Sequence, residues 1–103
     1  MRDPDPNEMP IENNVAEHRF ETRLPEGLAL LKYHYDRAGR LSLDHTEVPP
    51  ARQHRGIAGL LAKAAFDFAR AGNLNVFPKC PYVIAYLEAH PELEPLVDRS
   101  PLP

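Results

Sequence analysis

The sequence has little cysteine and no long hydrophobic run. Cys80 is its only cysteine, which excludes an intrachain disulfide framework and a cysteine-rich zinc site. No apolar run approaches the ~20 residues that a helix needs to cross a bilayer. The first residues are acidic and interrupted by Pro4 and Pro6, so they lack the pattern of a signal peptide or transit helix. We therefore expect a cytoplasmic protein that makes no membrane contact.

Positive charge is also scarce. Twelve Lys and Arg residues stand against fifteen Asp and Glu residues, a formal net charge of −3. Such a surface attracts a phosphate backbone poorly, so we do not expect nucleic acid as the ligand. The histidines are scattered along the chain at His18, His34, His45, His54 and His90. None of them has the i, i+4 spacing of a helical metal site, and the sequence predicts no metal.

The remaining composition is typical of one globular domain, with 43% hydrophobic and 26% charged residues. Prolines concentrate near both ends of the chain, where they disfavour regular hydrogen-bonded pairing. We therefore predict a disordered tail over residues 1–12, one domain over residues 13–97, and a C-terminal tail over residues 98–103.

The pattern inside the domain predicts an α+β fold. We expect an antiparallel meander of three strands over residues 15–24, 28–35 and 40–48. A long helix follows over residues 55–71, then a short strand over residues 74–77 and a shorter helix that begins at Pro81. A strand–helix–strand connection favours a parallel pairing of the third and fourth strands. Regular alternation in the third strand places Leu41, Leu43, His45 and Glu47 on one face, and it predicts that His45 is partly buried.

The turn before the long helix is the most informative segment. Gly56 lies at the start of this helix, with Arg52 and Arg55 close by in the sequence. Backbone N–H groups at a helix N-terminus favour an anion such as a phosphate. The same residues are also typical of a helix that simply begins at a glycine beside two solvated arginines. Short glycine motifs do not distinguish these two interpretations.

The segment resembles the acetyl-CoA loop of the GCN5-related N-acetyltransferases (GNATs). The pattern is Gln53-x-x-Gly56-x-Ala58, preceded by the residues HTEV that end at Val48, and followed by a Cys-Pro turn at Cys80. Together these motifs are similar to those of the minimal, single-domain branch of the family, which includes bacterial YjdJ-type proteins and small N-acetyltransferase domain-containing proteins. The resemblance implies a GNAT-like mixed sheet that lacks the substrate-side helices of larger members.

The resemblance further implies that acetyl-CoA binds in an opening between the third and fourth strands. The pyrophosphate would lie on the N–H groups of residues 54–58, and the Val48 N–H would polarise the thioester carbonyl. The cofactor-binding residues that it implies are Thr46, Glu47, Val48, Gln53, His54, Arg55, Gly56, Ile57, Ala58, Gly59 and Cys80. His54 occupies a position where many relatives have glycine, so this loop must accommodate an imidazole.

Three residues are candidates for catalysis. Glu47 is placed to act as the general base for an amine, directly or through water, although a surface carboxylate at a strand end is an equally good interpretation. Cys80 precedes a helix whose dipole favours the thiolate, but a lone cysteine is more often a small buried hydrophobe. Tyr86 falls near the position of a tyrosine acid in larger relatives, or else it packs on the sheet with Tyr82.

Three functions remain open at this point. The first is an acetyl-CoA-dependent N-acetyltransferase whose acceptor is an amine, either on a small molecule or on a protein or peptide. The second is a CoA-binding or acyl-CoA-binding module with little transferase activity, and the third is an interaction protein that has lost the ligand. The turn at residues 25–27 and the link at residues 36–39 are too short for a helix. The acceptor side is therefore expected to be open, which suits a large acceptor or none.

Overall fold

A five-stranded sheet forms the centre of the computed structural model, which describes residues 10–102. The strands are β1 (Glu12–Asn14), β2 (Arg19–Leu24), β3 (Gly27–Tyr35), β4 (Leu41–Glu47) and β5 (Val76–Pro78). Helix α1 (Ile57–Ala71) connects β4 to β5, and α2 (Pro81–Ala89) follows β5. Short 3-10 helices occupy Pro50–Arg52 and Pro91–Leu96. Most of the expected N-terminal tail, residues 1–9, and Pro103 at the other end lie outside the described residues.

The sheet has the order β1-β2-β3-β4-β5, with neighbouring strands antiparallel except for β4 and β5, which are parallel. This confirms the predicted α+β fold, its meander and its single parallel pair. The strand predicted over residues 15–24 is present only over Arg19–Leu24, and its first four residues were predicted wrongly. Residues 15–18 form a turn in which His18 adopts φ 51°, and β1 pairs back onto β2 across it.

A β-bulge interrupts the alternation in β4. Tyr33 pairs with Leu43 and Lys32 pairs with His45, so Asp44 is the extra residue. An extra residue reverses which face the following side chains occupy. Leu43 and Thr46 therefore point towards the same face of the sheet, although they are three residues apart.

The bulge overturns the expectation that Leu41, Leu43, His45 and Glu47 share one face. His45 and Glu47 lie on the face opposite Leu43, and each of their side chains is 57% exposed. The predicted partial burial of His45 was therefore wrong. Regular alternation could not account for this arrangement, because the extra residue shifts all later positions of the strand by one.

Both helices pack on one face of the sheet, and the hydrophobic core lies between them and the strands. Ala-rich α1 presents an apolar side at i, i+4 spacing to this core. The helix ends where Asn73 adopts φ 53°, which lets the Leu74 N–H donate to the Ala69 carbonyl. The largest buried side chains of the core are Phe66, Leu31, Leu41, Leu43, Leu61, Val76 and Val83. No described helix covers the opposite face, which we call the open face.

A buried arginine ties the C-terminal residues to the open face. The Arg40 side chain is 4% exposed, and its Nε donates to Asp36 Oδ2 at 2.8 Å. Its Nη1 donates to the carbonyl oxygens of Asp98 and Ser100. The guanidinium also lies 4.6 Å from the centre of the Phe77 ring. Residues 98–100 are thereby held against the β3–β4 hairpin, although sequence composition predicted a tail over residues 98–103.

Glu21 provides a test of how pH affects stability. The Asn14 amide and the Arg19 guanidinium both donate to its buried carboxylate. The Asn14 hydrogen bond, opposed by burial and assisted by Arg19, lowers the pKa of Glu21 below its ordinary value of 4.5. A lowered folded-state pKa gives stability that is present above pH 4.5 and lost as pH falls through the folded-state value.

We therefore expect Glu21→Gln to lower Tm at pH 7 and to shrink the difference from wild type below pH 4.5. Thermal unfolding followed by circular dichroism between pH 7 and pH 3 measures this. Glu17→Gln is the matched control, since the Glu17 side chain is exposed in the turn. A Tm difference that stays constant down to pH 3 would contradict the prediction.

Candidate functional site

Strands β4 and β5 separate beyond their third paired residue. The described pairing ends at Leu43 and Pro78. The Leu43 carbonyl then accepts the N–H groups of both Lys79 and Cys80, at 3.1 and 2.9 Å. Beyond this point β4 continues to Glu47, while the segment that follows β5 turns away into α2 at Pro81. Within the described chain, β4 thus continues from Asp44 to Glu47 without a β5 partner, and we call the place where the two segments part the V-shaped opening.

The loop from β4 to α1 is anchored from both sides. The 3-10 helix Pro50–Arg52 directs the Arg52 side chain inwards, where its Nε donates to Glu26 Oε2 at 2.8 Å. This hydrogen bond lowers the pKa of Glu26. The Gln53 side-chain amide donates to the Val48 carbonyl at 3.1 Å. Both side chains therefore fix the shape of the loop itself, whereas the Arg55 side chain remains exposed.

Helix α1 begins without a capping side chain. Gly56 is its N-cap residue, with φ 84°, and glycine has no side chain that could accept a hydrogen bond from the first N–H groups of the helix. A Cβ placed on Gly56 would meet no protein atom within 4 Å. The space beside the Gly56 Cα is therefore open, at a helix start whose first N–H groups have no intrahelical partner and carry the positive end of the helix dipole.

A cavity of about 180 Å³ lies at this helix start. Its lining residues are Val48, Arg52, Gln53, His54, Gly56, Ile57, Ala58 and Tyr82. Six of these eight belong to the cofactor-binding set implied by the sequence resemblance. Tyr82 is not among the individual residues that the resemblance implies, although it falls within residues 77–82, which were expected to contribute to the site. Its position in the first turn of α2 brings its ring to the cavity, and only the packing of α2 beside the loop reveals this.

The other residues of that implied set lie outside the lining of the cavity. Thr46 and Cys80 are buried where the strands separate, with Thr46 Oγ1 and Cys80 Sγ 3.2 Å apart. Cys80 is 1% exposed, so its thiol is enclosed by protein atoms. Gly59 lies one residue further along α1, packed near the Tyr86 ring.

Glu47 lies at the end of β4 on the open face. Its Oε1 is 3.1 Å from His45 Nε2, so the two exposed side chains form a hydrogen-bonded pair. The carboxylate is accessible from the face that the helices leave uncovered. This position permits proton transfer to Glu47 from an acceptor amine that approaches from that face.

Tyr86 is directed away from the cavity. Its ring stacks between Phe66 and His90, with centroid distances of 6.2 and 4.0 Å. Burial raises the pKa of the Tyr86 hydroxyl. Lys63, Asp67 and Glu92 are the charged groups near this hydroxyl, and all three lie with Tyr86 along a separate groove between α1 and the C-terminal 3-10 helix. Packing is therefore the role that the contacts of Tyr86 support.

His54 adopts a left-handed backbone conformation, with φ 63°. A residue with a Cβ is strained there, whereas glycine is not. We expect His54→Gly to raise the free energy of unfolding by up to about 1 kcal/mol, the strain being partly offset by the greater freedom of glycine in the unfolded chain. Urea denaturation measures this change. The free energy of unfolding of His54→Asn should lie between those of the wild type and His54→Gly. A His54→Gly variant less stable than the wild type would contradict the prediction.

Comparisons with known proteins identify the family of the chain. The family model described as GCN5-related N-acetyl-transferase matches residues 19–96. The chain belongs to the GCN5-related N-acetyltransferases. Protein NATD1 of Xenopus tropicalis is 37% identical over 83 residues, which cover 79% of this chain and 76% of that protein. Protein NATD1 of Homo sapiens is also 37% identical, over 79% of this chain and 74% of its own.

Membership of the GNAT family supports an acetyltransferase role in general terms. The five-stranded sheet with its parallel β4–β5 pair agrees with a small GNAT. Within residues 10–102, no helix is both long enough and apolar enough to cross a membrane. Over the same residues, no three His, Cys, Asp or Glu side chains are grouped as metal ligands would be.

Proposed function

We propose that this GNAT binds acetyl-CoA and transfers the acetyl group to an amine that approaches from the open face. The observation that carries the proposal is the uncapped start of α1, whose N–H groups adjoin the 180 Å³ cavity beside the V-shaped opening. Acetyl-CoA would supply an activated acetyl group as a thioester. The functions of individual residues follow from their positions around the opening.

The helix start supplies the anion-binding part of the site. The N–H groups of residues 56–58 combine with the positive end of the α1 dipole to hold a diphosphate. Gly56 leaves the space in front of these groups clear. Arg55, exposed at the same turn, adds positive charge, while Tyr82 and Ile57 contribute apolar contacts to the cavity wall. The residues present therefore fit a group that carries phosphates and an apolar arm.

The unpaired edge of β4 supplies the second part. Beyond Leu43 the strand has no β5 partner among the described residues, so its backbone can pair with the amides of an extended ligand arm. We propose that the Val48 N–H donates to the carbonyl at which charge develops during acetyl transfer. Thr46 and Cys80 close the base of the opening with their side-chain contact.

Glu47 is the general base in this proposal. Its carboxylate is exposed on the open face and hydrogen-bonded to His45, so it can take a proton from the incoming amine directly or through one water molecule. Cys80 and Tyr86 have no catalytic role in this proposal, because the thiol is buried and the tyrosine ring is stacked away from the cavity.

A binding module with little transferase activity is the second candidate function. It is favoured by the absence of any described helix over the open face, since such helices would form a wall for an acceptor. Both candidates require the cofactor cavity, but only the first requires turnover.

Two measurements test the proposal. Calorimetric titration of acetyl-CoA should show saturable binding to the wild-type protein, and its absence would contradict both candidates. Mass spectrometry should then show acetylated product when the protein is incubated with acetyl-CoA and a panel of amines. Glu47→Gln is expected to reduce the rate of product formation by about 100-fold with unchanged acetyl-CoA affinity, whereas Cys80→Ala should retain activity. Binding without any acetylated product would favour the binding module.

A further inference from the structure

A second cavity, of about 280 Å³, lies on the open face of the sheet. Its walls include apolar side chains of Phe77, Pro101 and Leu102, together with His34, Ser42 and Lys79. The volume is slightly below the ~300 Å³ at the lower end of common small-molecule sites. The cavity is therefore suited to a compact ligand with an apolar body and few polar groups.

The cavity adjoins the V-shaped opening on the opposite side of the sheet from the helices. Ser42 and Phe77 form the rung next to the last paired rung of β4 and β5, which is Leu43 with Pro78. The Lys79 N–H donates to the Leu43 carbonyl at this same point. A ligand in the cavity thus lies beside the place where the strands separate.

The His34 imidazole is held in position at the cavity wall. Its Nδ1 is 2.6 Å from Asp44 Oδ2, while Asp44 Oδ1 accepts the Ser42 hydroxyl at 2.6 Å. Because an ionised carboxylate can only accept hydrogen bonds, Nδ1 carries a proton. In the neutral ring Nε2 is then left with a lone pair that can accept a hydrogen bond from a ligand N–H.

Lys79 contributes a charge that no described residue balances. Its side chain is exposed at the cavity, and its ammonium makes no hydrogen bond or ion pair within residues 10–102. The neighbouring Arg40 guanidinium, in contrast, is already engaged by Asp36 and the carbonyls of Asp98 and Ser100. Lys79 is thus available to pair with an anionic group of a ligand.

We propose that this cavity binds a small α-amino acid with an apolar side chain, at a site separate from the proposed acetyl-transfer centre. The ligand's carboxylate pairs with Lys79, its amine donates to His34 Nε2, and its apolar side chain contacts Phe77 and Leu102. The His34–Ser42 rung lies four residues along β3 from the Leu30–Glu47 rung, about 13 Å along the strand, so the binding does not depend on the proposed acetyl transfer and does not need acetyl-CoA.

The test uses three probes of similar shape. L-leucine has both polar groups, 3-methylbutylamine lacks the carboxylate, and 4-methylpentanoate lacks the amine. Binding is followed on the full chain by two-dimensional amide NMR, without CoA. Leucine should shift the amide signals of Ser42, Phe77 and Lys79, and each truncated probe should bind about five- to tenfold more weakly.

Matched variants assign each contact. Lys79→Met should remove the preference for leucine over 3-methylbutylamine, and Lys79→Arg should retain it. His34→Ala should remove the preference for leucine over 4-methylpentanoate. Lys63→Met removes one exposed lysine charge from α1 and should change neither preference. A loss of folding would weaken the binding of all three probes to a variant. A lost contact changes only the ratio of the affinities that this variant has for leucine and for one truncated probe.

Two results would overturn the proposal. One is the absence of cavity shifts with all three probes at millimolar concentration, and the other is equal binding of leucine and 3-methylbutylamine to the wild type. Lysine peptides that shift the amide signals of Ser42, Phe77 and Lys79 where leucine does not would assign the cavity to a peptide instead. If leucine does not bind but acetyl-CoA does, the amino-acid site is refuted and the proposed function stands. If acetyl-CoA does not bind but leucine does, the proposed function is refuted and the amino-acid site stands.

Discussion

Gly56→Asp should weaken acetyl-CoA binding by at least about 100-fold. The new carboxylate would project into the open space in front of the α1 N–H groups, where it would repel a diphosphate and compete for the same donors. A 100-fold loss corresponds to about 2.7 kcal/mol of binding free energy. Calorimetric titration of acetyl-CoA into the purified variant measures this loss.

Two controls separate the charge from the backbone strain. Gly56→Asn has nearly the same shape without the charge, and we expect it to lose less than about tenfold in affinity. Gly39 has φ 78° and, like Gly56, no protein atom within 4 Å of an added Cβ. Gly39→Asp therefore introduces the same charge with similar strain in the β3–β4 turn, and it should bind acetyl-CoA like the wild type. Equal affinities of Gly56→Asp and Gly39→Asp would refute the phosphate-binding role.

Arg40→Ala should cause the largest loss of stability among the substitutions considered. It would leave the Asp36 carboxylate without its ion-pair partner and release the carbonyls of Asp98 and Ser100. Breaking a buried ion pair by removing one partner is strongly destabilising. We expect Tm to fall by about 10–20 °C, which thermal unfolding followed by circular dichroism measures.

A second measurement distinguishes the loss of the hydrogen bonds from Arg40 to residues 98 and 100 from a general loosening of the core. Amide hydrogen exchange of residues 97–100 should accelerate in Arg40→Ala more than exchange in α1. Arg23→Ala, which removes an exposed arginine from β2, should leave both Tm and exchange nearly unchanged. A Tm loss for Arg40→Ala no larger than that for Arg23→Ala would contradict the assigned role.

The sequence could predict the elements whose local pattern and tertiary environment agree. Apolar residues at helical spacing predict α1, and Pro81 correctly predicts the start of α2. Short turn segments predict the antiparallel meander, and the β4–α1–β5 order predicts the parallel pair. The loop at Gly56 was recognisable from its resemblance to the acetyl-CoA loop of the family, whereas the positive φ of Gly56 is seen only in the structure.

The sequence could not predict the features that depend on pairing between distant residues. The bulge at Asp44 is visible only from the register of β4 against β3. Arg52 and Glu26 are separated by 26 positions in the sequence, and Arg40 and Ser100 by 60 positions. His34 and Asp44 also meet only after the hairpin forms. Local composition carries no signal for such partners, so neither interpretation of the two loop arginines, as part of an anion site or as solvated charges, included the pairing of Arg52 with Glu26.

The bulge also sets how the length of the chain can vary. Deleting Asp44 would leave Leu43 followed directly by His45, so regular alternation would keep Thr46 on the inner face and His45 and Glu47 on the outer face. A deletion between regularly paired residues of a strand without a bulge would instead move every later side chain to the other face. The span between Leu43 and Thr46 is consequently the part of β4 in which the chain can lose one residue without exchanging the inner and outer surfaces of the site.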